Sequence, residues 1–442
     1  MSVSAPSRYR HQPPPGEPGL PRLLPVAARL APAPGQPPGL DLAAHLRHHG
    51  LLRFRGPALI EQVSAAGLTG RGGAAFPVAR KLAAVASRGT KTVLAGNGAE
   101  GEPASAKDAA LLSYAPHLVL DGLQAAAEAA GARTAYLYLH DHRSYPGLVG
   151  HVRAALASRQ AAGTDRATVE LVVAPPRFLA GEETALVARI NGRAARPADK
   201  TRRVFERGIS GRPTLVQNVE TLAHLALIAR HGANWFRSVG TASEPGSTLC
   251  TVHGPDGQVR VTEAALGTPL TRLLALGDDV QAVLAGGYHG GWLSAPHARQ
   301  LTLSNADLRP AGAMVGAGVL VSLPAACCGL AEVANVARFL ARESAGQCGP
   351  CRNGLPAIAS ALSVVAQPRP AQPELANVRR WAGLVTGRGA CHHPDGTVRF
   401  VASALSVFAS EIAEHAAGRC AAADRAPFLP VSAPPLAESD WR

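Results

Sequence analysis

The chain has 442 residues, with 44 Lys and Arg against 31 Asp and Glu for a formal charge of +13 at pH 7, 47% hydrophobic residues and 4% aromatics. A single hydrophobic core rarely serves so long a chain, so about two to four domains are expected. The basic balance suits anionic cofactors, an acidic partner protein or nucleic acid. No basic stretch interleaved with aromatics and no zinc-finger spacing is present, which speaks against nucleic acid. Seven cysteines, odd in number and scattered, speak for a reducing cytoplasm rather than a disulfide framework.

Residues 1 to about 40 are proline-rich (Pro13 to Pro15, Pro32, Pro34, Pro37, Pro38) and read as a disordered tail without a compact apolar signal core. Helical spacing begins at Asp41 to Leu46 and returns over Ala58 to Ala66, ahead of a glycine-rich loop at Gly67 to Gly73. Strands are expected at Lys91 to Ala95, Ala135 to Leu139 and Val169 to Val173, with helices at Pro116 to Ala130, Tyr145 to Ala157 and Gln217 to His231. Strands alternating with helices predict an α/β unit over 41–240 with a parallel sheet covered on both faces.

From Gly246 the pattern shortens: strands Thr248 to His253 and Gln258 to Val261 flank a Gly-Pro-Asp-Gly turn, followed by a short helix near Leu270 and a strand at Val280 to Leu284. This reads as a small α+β module over 246–308. Pro310 to Ala331 carries no charge, but Gly312, Gly316, Gly318, Pro324 and Gly329 interrupt it, so it reads as a buried strand, turn and helix start rather than a membrane span. Residues 325–416 are helical by periodicity, with a loop at Pro368 to Pro373, and 420–442 return to a flexible Pro/Ala-rich tail.

Five segments carry chemistry. Gly70-Arg71-Gly72-Gly73-Ala74-Ala75-Phe76 satisfies G-x-G-x-x-A, but it follows a helix and no acid ends the next strand, so an ordinary dinucleotide fold fails its context. What the glycines allow is close approach of backbone N–H groups to a phosphate or flat ring, with Lys81 adding a point charge. Asn97-Gly98-Ala99-Glu100-Gly101-Glu102 follows a strand: Asn97 can bond a polyhydroxyl chain, and Glu100 and Glu102 can accept from sugar hydroxyls or an amide, or form a plain surface turn. Gly181-Glu182-Glu183 opens a helix, where acids serve equally as caps or as ligands.

Arg193 to Arg212, including Lys200, is strongly basic and reads as a solvated face, a dock for an acidic redox partner or a dinucleotide phosphate site. Cys348 and Cys351 lie one helical turn apart, and Cys391 closes on them from a distant segment, the arrangement that holds an iron–sulfur cluster. His392 and His393 follow as loop histidines or further ligands.

In this order the pieces resemble the flavin-bearing, NADH-oxidising subunit of respiratory complex I and the related diaphorase subunits of NAD-linked hydrogenases and formate dehydrogenases. The resemblance runs from about Leu46 to His415 and rests on Gly67 to Pro77 with Lys81, Asn97 to Asp108, Gly181 to Leu186, Pro213-Thr214 with Asn218 to Thr221, and Glu343-Ser344 with Gln347 to Gly354. It implies an α/β FMN/NADH-binding domain with a parallel sheet, a small ubiquitin-like (β-grasp) domain at 246–308 and a C-terminal helical bundle holding a 4Fe-4S cluster. It also implies FMN at Gly70, Arg71, Gly72, Gly73, Lys81, Asn97, Glu100, Gly181, Glu182, Glu183 and Asn218, and nicotinamide dinucleotide at Phe76, Glu102, Phe178 and Lys200. Hydride would pass from NADH to FMN, and single electrons through the cluster to a ferredoxin-like partner or to complex I-like subunits, in the cytoplasm or on the cytoplasmic membrane face.

The sequence departs from the family at Ala75, Ala99, Phe178, Ala180, Thr201 to Val204 and above all Ala345, where the family has the first cluster cysteine. The loop after Lys200 leaves NADP(H) open beside NAD(H). With Cys348, Cys351 and Cys391 alone, the site implies a 4Fe-4S cluster completed by His392 or water, a 3Fe-4S cluster, or none. Cys327 and Cys328 read as small core residues or as replacement ligands. The opposing reading is a scaffold subunit that keeps the fold without the redox activity.

Overall fold

The computed structural model describes residues 9–11, 22–24, 41–89, 91–199, 203–370, 373–420, 422, 426–431 and 438–441. In chain order the first strands are β1 Tyr9–His11, β2 Val93–Gly98, β3 Thr134–Leu139, β4 Thr168–Val173 and β5 Thr214–Asn218. The helices among them are α1 Leu42–His49, α2 Gly56–Ala66, α3 Val78–Ala86, α4 Lys107–Tyr114, α5 Pro116–Ala129, α6 Leu148–Ala161, α7 Glu183–Ile190 and α8 Val219–Phe236.

Strands β2 to β5 form a parallel sheet in the order β4-β3-β2-β5. Because β3 and β4 extend from one side of β2 and β5 from the other, the connections diverge at the β2/β5 boundary. A crevice opens there at the carboxyl ends, the place where open parallel sheets take ligands. Asn97 and Asn218 are register partners at that boundary.

Helices α5 and α8 pack on the sheet through a continuous apolar core that includes Leu94, Leu118, Leu123, Leu137 and Leu222, all essentially inaccessible. Burying each such side chain contributes roughly 1.5–3 kcal/mol. Strand β5 lies where the sequence reads as the start of a helix. Asn218 explains the difference, since its side chain accepts from Glu220 N at 2.9 Å and, as the N-cap, starts α8 one residue later.

A second, six-stranded mixed sheet has the order β1-β7-β6-β10-β8-β9, with β6 Ser247–His253, β7 Val259–Ala265, β8 Val280–Ala285, β9 Gly291–Ser294 and β10 Val319–Pro324. The uncharged stretch after Pro310 thus supplies a central strand, parallel to β6 and antiparallel to β8, and the sheet extends past Leu308. Short helices α9 Leu270–Leu273, α10 Ala295–Ala298 and α11 Asn305–Leu308 border it. Then follow α12 Gly329–Arg342, α13 Leu355–Val365, α14 Glu374–Val385, α15 His393–Val407 and α16 Ala409–Ala416. Their shared core runs from β8 and β10 through Trp292 to Phe339, Phe400 and Phe408.

Parts of the stretches expected to be disordered are held in place. Tyr9–His11 pairs in parallel with β7, Leu23 and Leu24 are buried in the main core, and the Arg22 and Leu23 N–H groups donate to Glu263 Oε2 at 2.6 and 2.9 Å. In the C-terminal stretch, Phe428 N and Leu429 N donate to the two oxygens of Glu332, and Trp441 is buried. The reason in both cases is a few apolar anchors set within proline-rich sequence. Among the described residues no single helix is long and apolar enough to cross a membrane.

Candidate functional site

The β2/β5 crevice is bounded by three loops. The first is the glycine turn, closed at its base by Gly70 N to Phe76 O at 2.9 Å and Val78 N to Leu68 O at 3.0 Å. Arg71 turns away from the crevice: its N–H donates to Thr221 Oγ1 at 2.9 Å, its Nε to Ser247 O at 3.1 Å and its Nη1 to Thr69 Oγ1 at 2.9 Å. These bonds anchor the turn, while its Nη2 is buried without a partner among the described residues, and burial lowers its pKa. Gly72 lies against Asn218, where an added Cβ would stand 3.3 Å from the asparagine Cβ. Ala75 holds φ at 51°, a conformation that favours glycine. Phe76 is 49% exposed with the Arg80 guanidinium 5.6 Å from its ring centre.

The second loop starts at Asn97, whose Nδ2 donates to Gly181 O at 2.7 Å. Glu100 points inward, accepting from Ser105 Oγ, from Asp108 N at 3.2 Å and from Ala109 N at 3.0 Å. It thereby satisfies N–H groups in the first turn of α4, which have no partner within the helix. Glu102 differs. Its Oε2 accepts from Tyr288 N at 3.0 Å, its Oε1 is buried without a hydrogen-bond partner among the described residues, and burial pushes its pKa up to about 7.

The third loop carries Phe178, Gly181, Glu182 and Glu183. Glu182 caps α7, accepting from Thr184 N at 2.8 Å and Ala185 N at 3.2 Å. Glu183 pairs with Lys81, Nζ to Oε2 at 2.8 Å. The second and third loops meet backbone to backbone: an added Cβ on Gly101 would stand 2.7 Å from the carbonyls of Arg177 and Phe178, and one on Gly181 2.7 Å from Ala99 O. These glycines are therefore required by packing. Lys200 lies outside the described residues.

Beneath the crevice sits a charged cluster that sequence reasoning missed. Lys107 Nζ donates to Asp108 Oδ1 at 2.7 Å and Glu220 Oε2 at 2.8 Å; the side chains are 3%, 7% and 0% exposed. Asp108 Oδ2 accepts from Asn218 Nδ2 at 2.6 Å, and Glu220 Oε1 accepts from Thr248 Oγ1 and Leu249 N at 2.9 Å each. The cluster thus positions Asn218 and ties α4, α8 and β6 together. The signal was the adjacent pair Lys107-Asp108 within the mostly apolar run Ala104 to Leu112, and periodicity does not read it.

The third loop also reaches the cysteines. Phe178 N donates to Glu343 Oε2 at 2.9 Å, Arg177 pairs with the same oxygen at 3.2 Å, and Leu179 packs against Ala345. Cys351 lies in a single π-helical turn, Pro350–Gly354, a local widening common at functional sites. Burial opposes ionisation of Cys348, yet the N–H groups of Ala390 and Cys351 outweigh it and lower its pKa. Burial pushes Cys351 up to about 12, with Cys348 and Cys391 nearby adding to the rise. Cys348 and Cys391 thus both lie near Cys351.

At the fourth corner the Ala345 methyl packs with Leu179 and Trp441, and the Arg177 guanidinium stacks on the tryptophan ring at 4.2 Å. Two expectations about ligands are corrected. Cys328 precedes α12 and Ala345 follows it. That helix of 14 residues spans about 21 Å, so neither Cys328 nor its neighbour Cys327 replaces the missing thiolate. His393 is buried between His289 Nε2 at 3.0 Å and Leu340 O at 2.9 Å, leaving no ring nitrogen for a metal; His392 is exposed at the start of α15.

The residues fit the groups that such a site would hold. The glycine turn lies against Asn218 at Gly72, and Lys81 is held by Glu183 of the third loop, so a close-approach backbone and a cation border one site, an arrangement suited to a phosphate. Three neighbouring thiols fit three corners of a cubane cluster.

Comparison with known proteins accords with this geometry. Residues 63–227 match the Nuo51 FMN-binding domain, and residues 331–415 match the NADH-ubiquinone oxidoreductase-F iron–sulfur binding region. The F subunit of NADH-quinone oxidoreductase in Buchnera aphidicola subsp. Acyrthosiphon pisum is 30% identical over 243 residues, 53% of this chain and 54% of that protein. Its Escherichia coli counterpart is 29% identical over 245 residues, again 53% and 54%. The chain spans about half the length of these relatives. An NAD+-reducing NiFe-hydrogenase in the H2-reduced state superposes with a TM-score of 0.76 at 28% identity, covering 85% of this chain and 65% of that one. The two matched segments make up more than half of the chain and keep the family's order: the chain is a divergent member of the family of flavin-bearing, NADH-oxidising subunits, with an FMN-binding domain at 63–227 and an iron–sulfur binding region at 331–415.

Proposed function

We infer that the chain oxidises NADH at FMN and delivers single electrons through an iron–sulfur cluster to the other subunits of a redox complex. The observation that carries this is the third loop, which contacts the crevice through Gly181 to Glu183 and the cysteine site through Phe178 and Leu179. FMN, when bound, supplies the chemistry that turns a two-electron hydride into single electrons. The chain's residues supply the rest. The glycine turn and Lys81 would hold the phosphate, and Asn97 and Asn218 would face the ribityl chain. The protonated form of Glu102, favoured by burial, can donate to an amide of the nicotinamide.

Phe76 offers an exposed ring to stack on that nicotinamide. Phe178 turns its ring edge-on to His289 at 4.9 Å and to Phe339 at 5.8 Å, lining the passage toward the cysteines. No protein base is required, which accords with Glu100 and Glu182 being engaged in capping and Glu183 in its pair with Lys81. Lys200 and the arginines around it would meet the dinucleotide phosphates, with NAD(H) preferred and NADP(H) tested alongside. The acceptor would be a ferredoxin-like centre on a partner subunit, and any membrane association would come through partners.

The domain division proposed is 41–240, 246–308 and 325–416. A ubiquitin-like reading of the second, extended beyond 308 to take in β10 at Val319–Pro324, is supported by that strand lying parallel to the first, β6, and central in the sheet. The scaffold reading is not favoured, because the flavin crevice keeps its turn, its cation and both asparagines.

Anaerobic absorption spectroscopy tests the assignment. Flavin bands bleached by NADH are expected; a protein that takes up no FMN on reconstitution would overturn it.

A further inference from the structure

A second group of soft ligands lies at the far end of α12 from the cluster cysteines. Cys328 Sγ accepts from Ala331 N at 3.3 Å at the start of that helix, and His415 Nε2 stands 3.6 Å from the same sulfur. Cys420 completes a set whose ligand atoms all lie within 4.8 Å of one another. Two observations set this group apart from ordinary core packing. Among the described residues, His415 is fully buried with its Nδ1 unpartnered, and Glu411, whose Oε1 accepts from Gly329 N at 3.0 Å, has a buried Oε2 with no partner. The group also borders a cavity of about 170 Å³ lined by Cys328, Arg338, Gln367 and Cys420, which gives an ion a way in.

We propose that Cys328 Sγ, His415 Nε2 and Cys420 Sγ bind one zinc ion, with the Glu411 carboxylate as the fourth ligand. The geometry supports it quantitatively. With zinc–sulfur and zinc–nitrogen bonds of about 2.3 and about 2.0–2.1 Å, a thiolate and an imidazole on one tetrahedral ion stand about 3.6 Å apart. The observed separation is 3.6 Å. Two thiolates and an imidazole select zinc over hard cations. Two thiolates with a carboxylate neutralise the divalent ion, with Arg338 nearby to balance the excess charge. Such a site is structural: it fastens α16 and the segment through Cys420 to the start of α12.

The test uses the full-length protein purified anaerobically with its flavin and iron centres, and measures zinc and iron separately by mass spectrometry. About one zinc per chain is expected in the wild type and in Cys348→Ser, with zinc lost in His415→Gln and Cys420→Ser while iron and flavin stay at wild-type levels. A wild-type readout that does not depend on any variant's folding is cobalt alone added to metal-stripped protein, which should give a thiolate-to-cobalt charge-transfer band that one equivalent of zinc abolishes. Zinc retained in both site variants, zinc lost in Cys348→Ser, no cobalt band, or a Cys328–Cys420 disulfide in the anaerobic protein would each overturn the assignment.

Discussion

Replacing Lys107 by methionine keeps the side-chain length and removes one charge from a cluster that water does not reach. Burial opposes the lysine's charge, but Asp108, Glu220 and Glu100 outweigh it and raise its pKa. Without the cation, Asp108 and Glu220 remain buried beside each other. Asp108 already sits at about 7 because of burial, so it would take up a proton, whereas Glu220, which Lys107 and His224 hold down at about 2 against the effect of burial, would lose its main support. Removing one member of a buried ion pair costs about 3–5 kcal/mol. At about 2–4 °C per kcal/mol for units of about 150–250 residues, melting should fall by roughly 6–20 °C, read by circular dichroism on the flavin-loaded protein at pH 7. Adding Glu220→Gln to Lys107→Met should cost less than the two changes separately, by about 0.5–3 kcal/mol. Because Asp108 orients Asn218, flavin affinity should fall as well. A melting shift below about 2 °C, or strict additivity of the two changes, would refute the account of a load-sharing triad.

Three further outcomes are expected. The Ala75 backbone holds φ at 51°. Such a left-handed conformation costs an L-residue about 1–2 kcal/mol. Ala75→Gly relieves it and loses part of the benefit through the freer unfolded chain, so a gain of about 0.5–1 kcal/mol should appear in urea denaturation. Glu102, raised from 4.5 to about 7, binds a proton in the folded state between those values, so stability falls as pH rises through that window. Glu102→Gln should flatten the slope and stabilise the protein at pH 8 by up to about 3 kcal/mol, and an unchanged slope would count against burial as the cause. Ala345→Cys supplies a fourth thiol at a buried corner against Trp441, and should slow iron release in air relative to wild type. Unchanged release kinetics would show that this corner does not face the cluster.

The α/β unit was legible because its helices are long and periodic and its strands β-rich, and the cysteine and glycine motifs gave the site's two ends. What the sequence hid was direction. Arg71, Glu100 and Glu182 look like ligands in one dimension, yet the fold turns Arg71 to Ser247 O and uses both acids to satisfy helix N-termini. Strand β5 was masked by Gln217 and Asn218, whose polarity resembles a helix start, and the β2/β5 crevice follows only from strand order. Lys107 was invisible because its partner Glu220 is 113 residues away. The grouping of Cys328 with Cys420 likewise depends on α12 and α16 coming together across the core.

The contact between the Asn97 to Glu102 loop and the Arg177 to Glu183 loop is made largely of main-chain atoms, joined by the Asn97 side chain on Gly181 O, with Gly101 and Gly181 leaving no room for a side chain of their own. The spacing between the flavin crevice and the cysteine site is consequently fixed by peptide geometry and not by the identity of interlocking residues. Electron transfer is governed by distance, so a junction of this kind lets most of the surrounding sequence drift while the wiring length stays put. That separation of what can vary from what cannot suits a chain whose matched half is only 30% and 29% identical to its relatives.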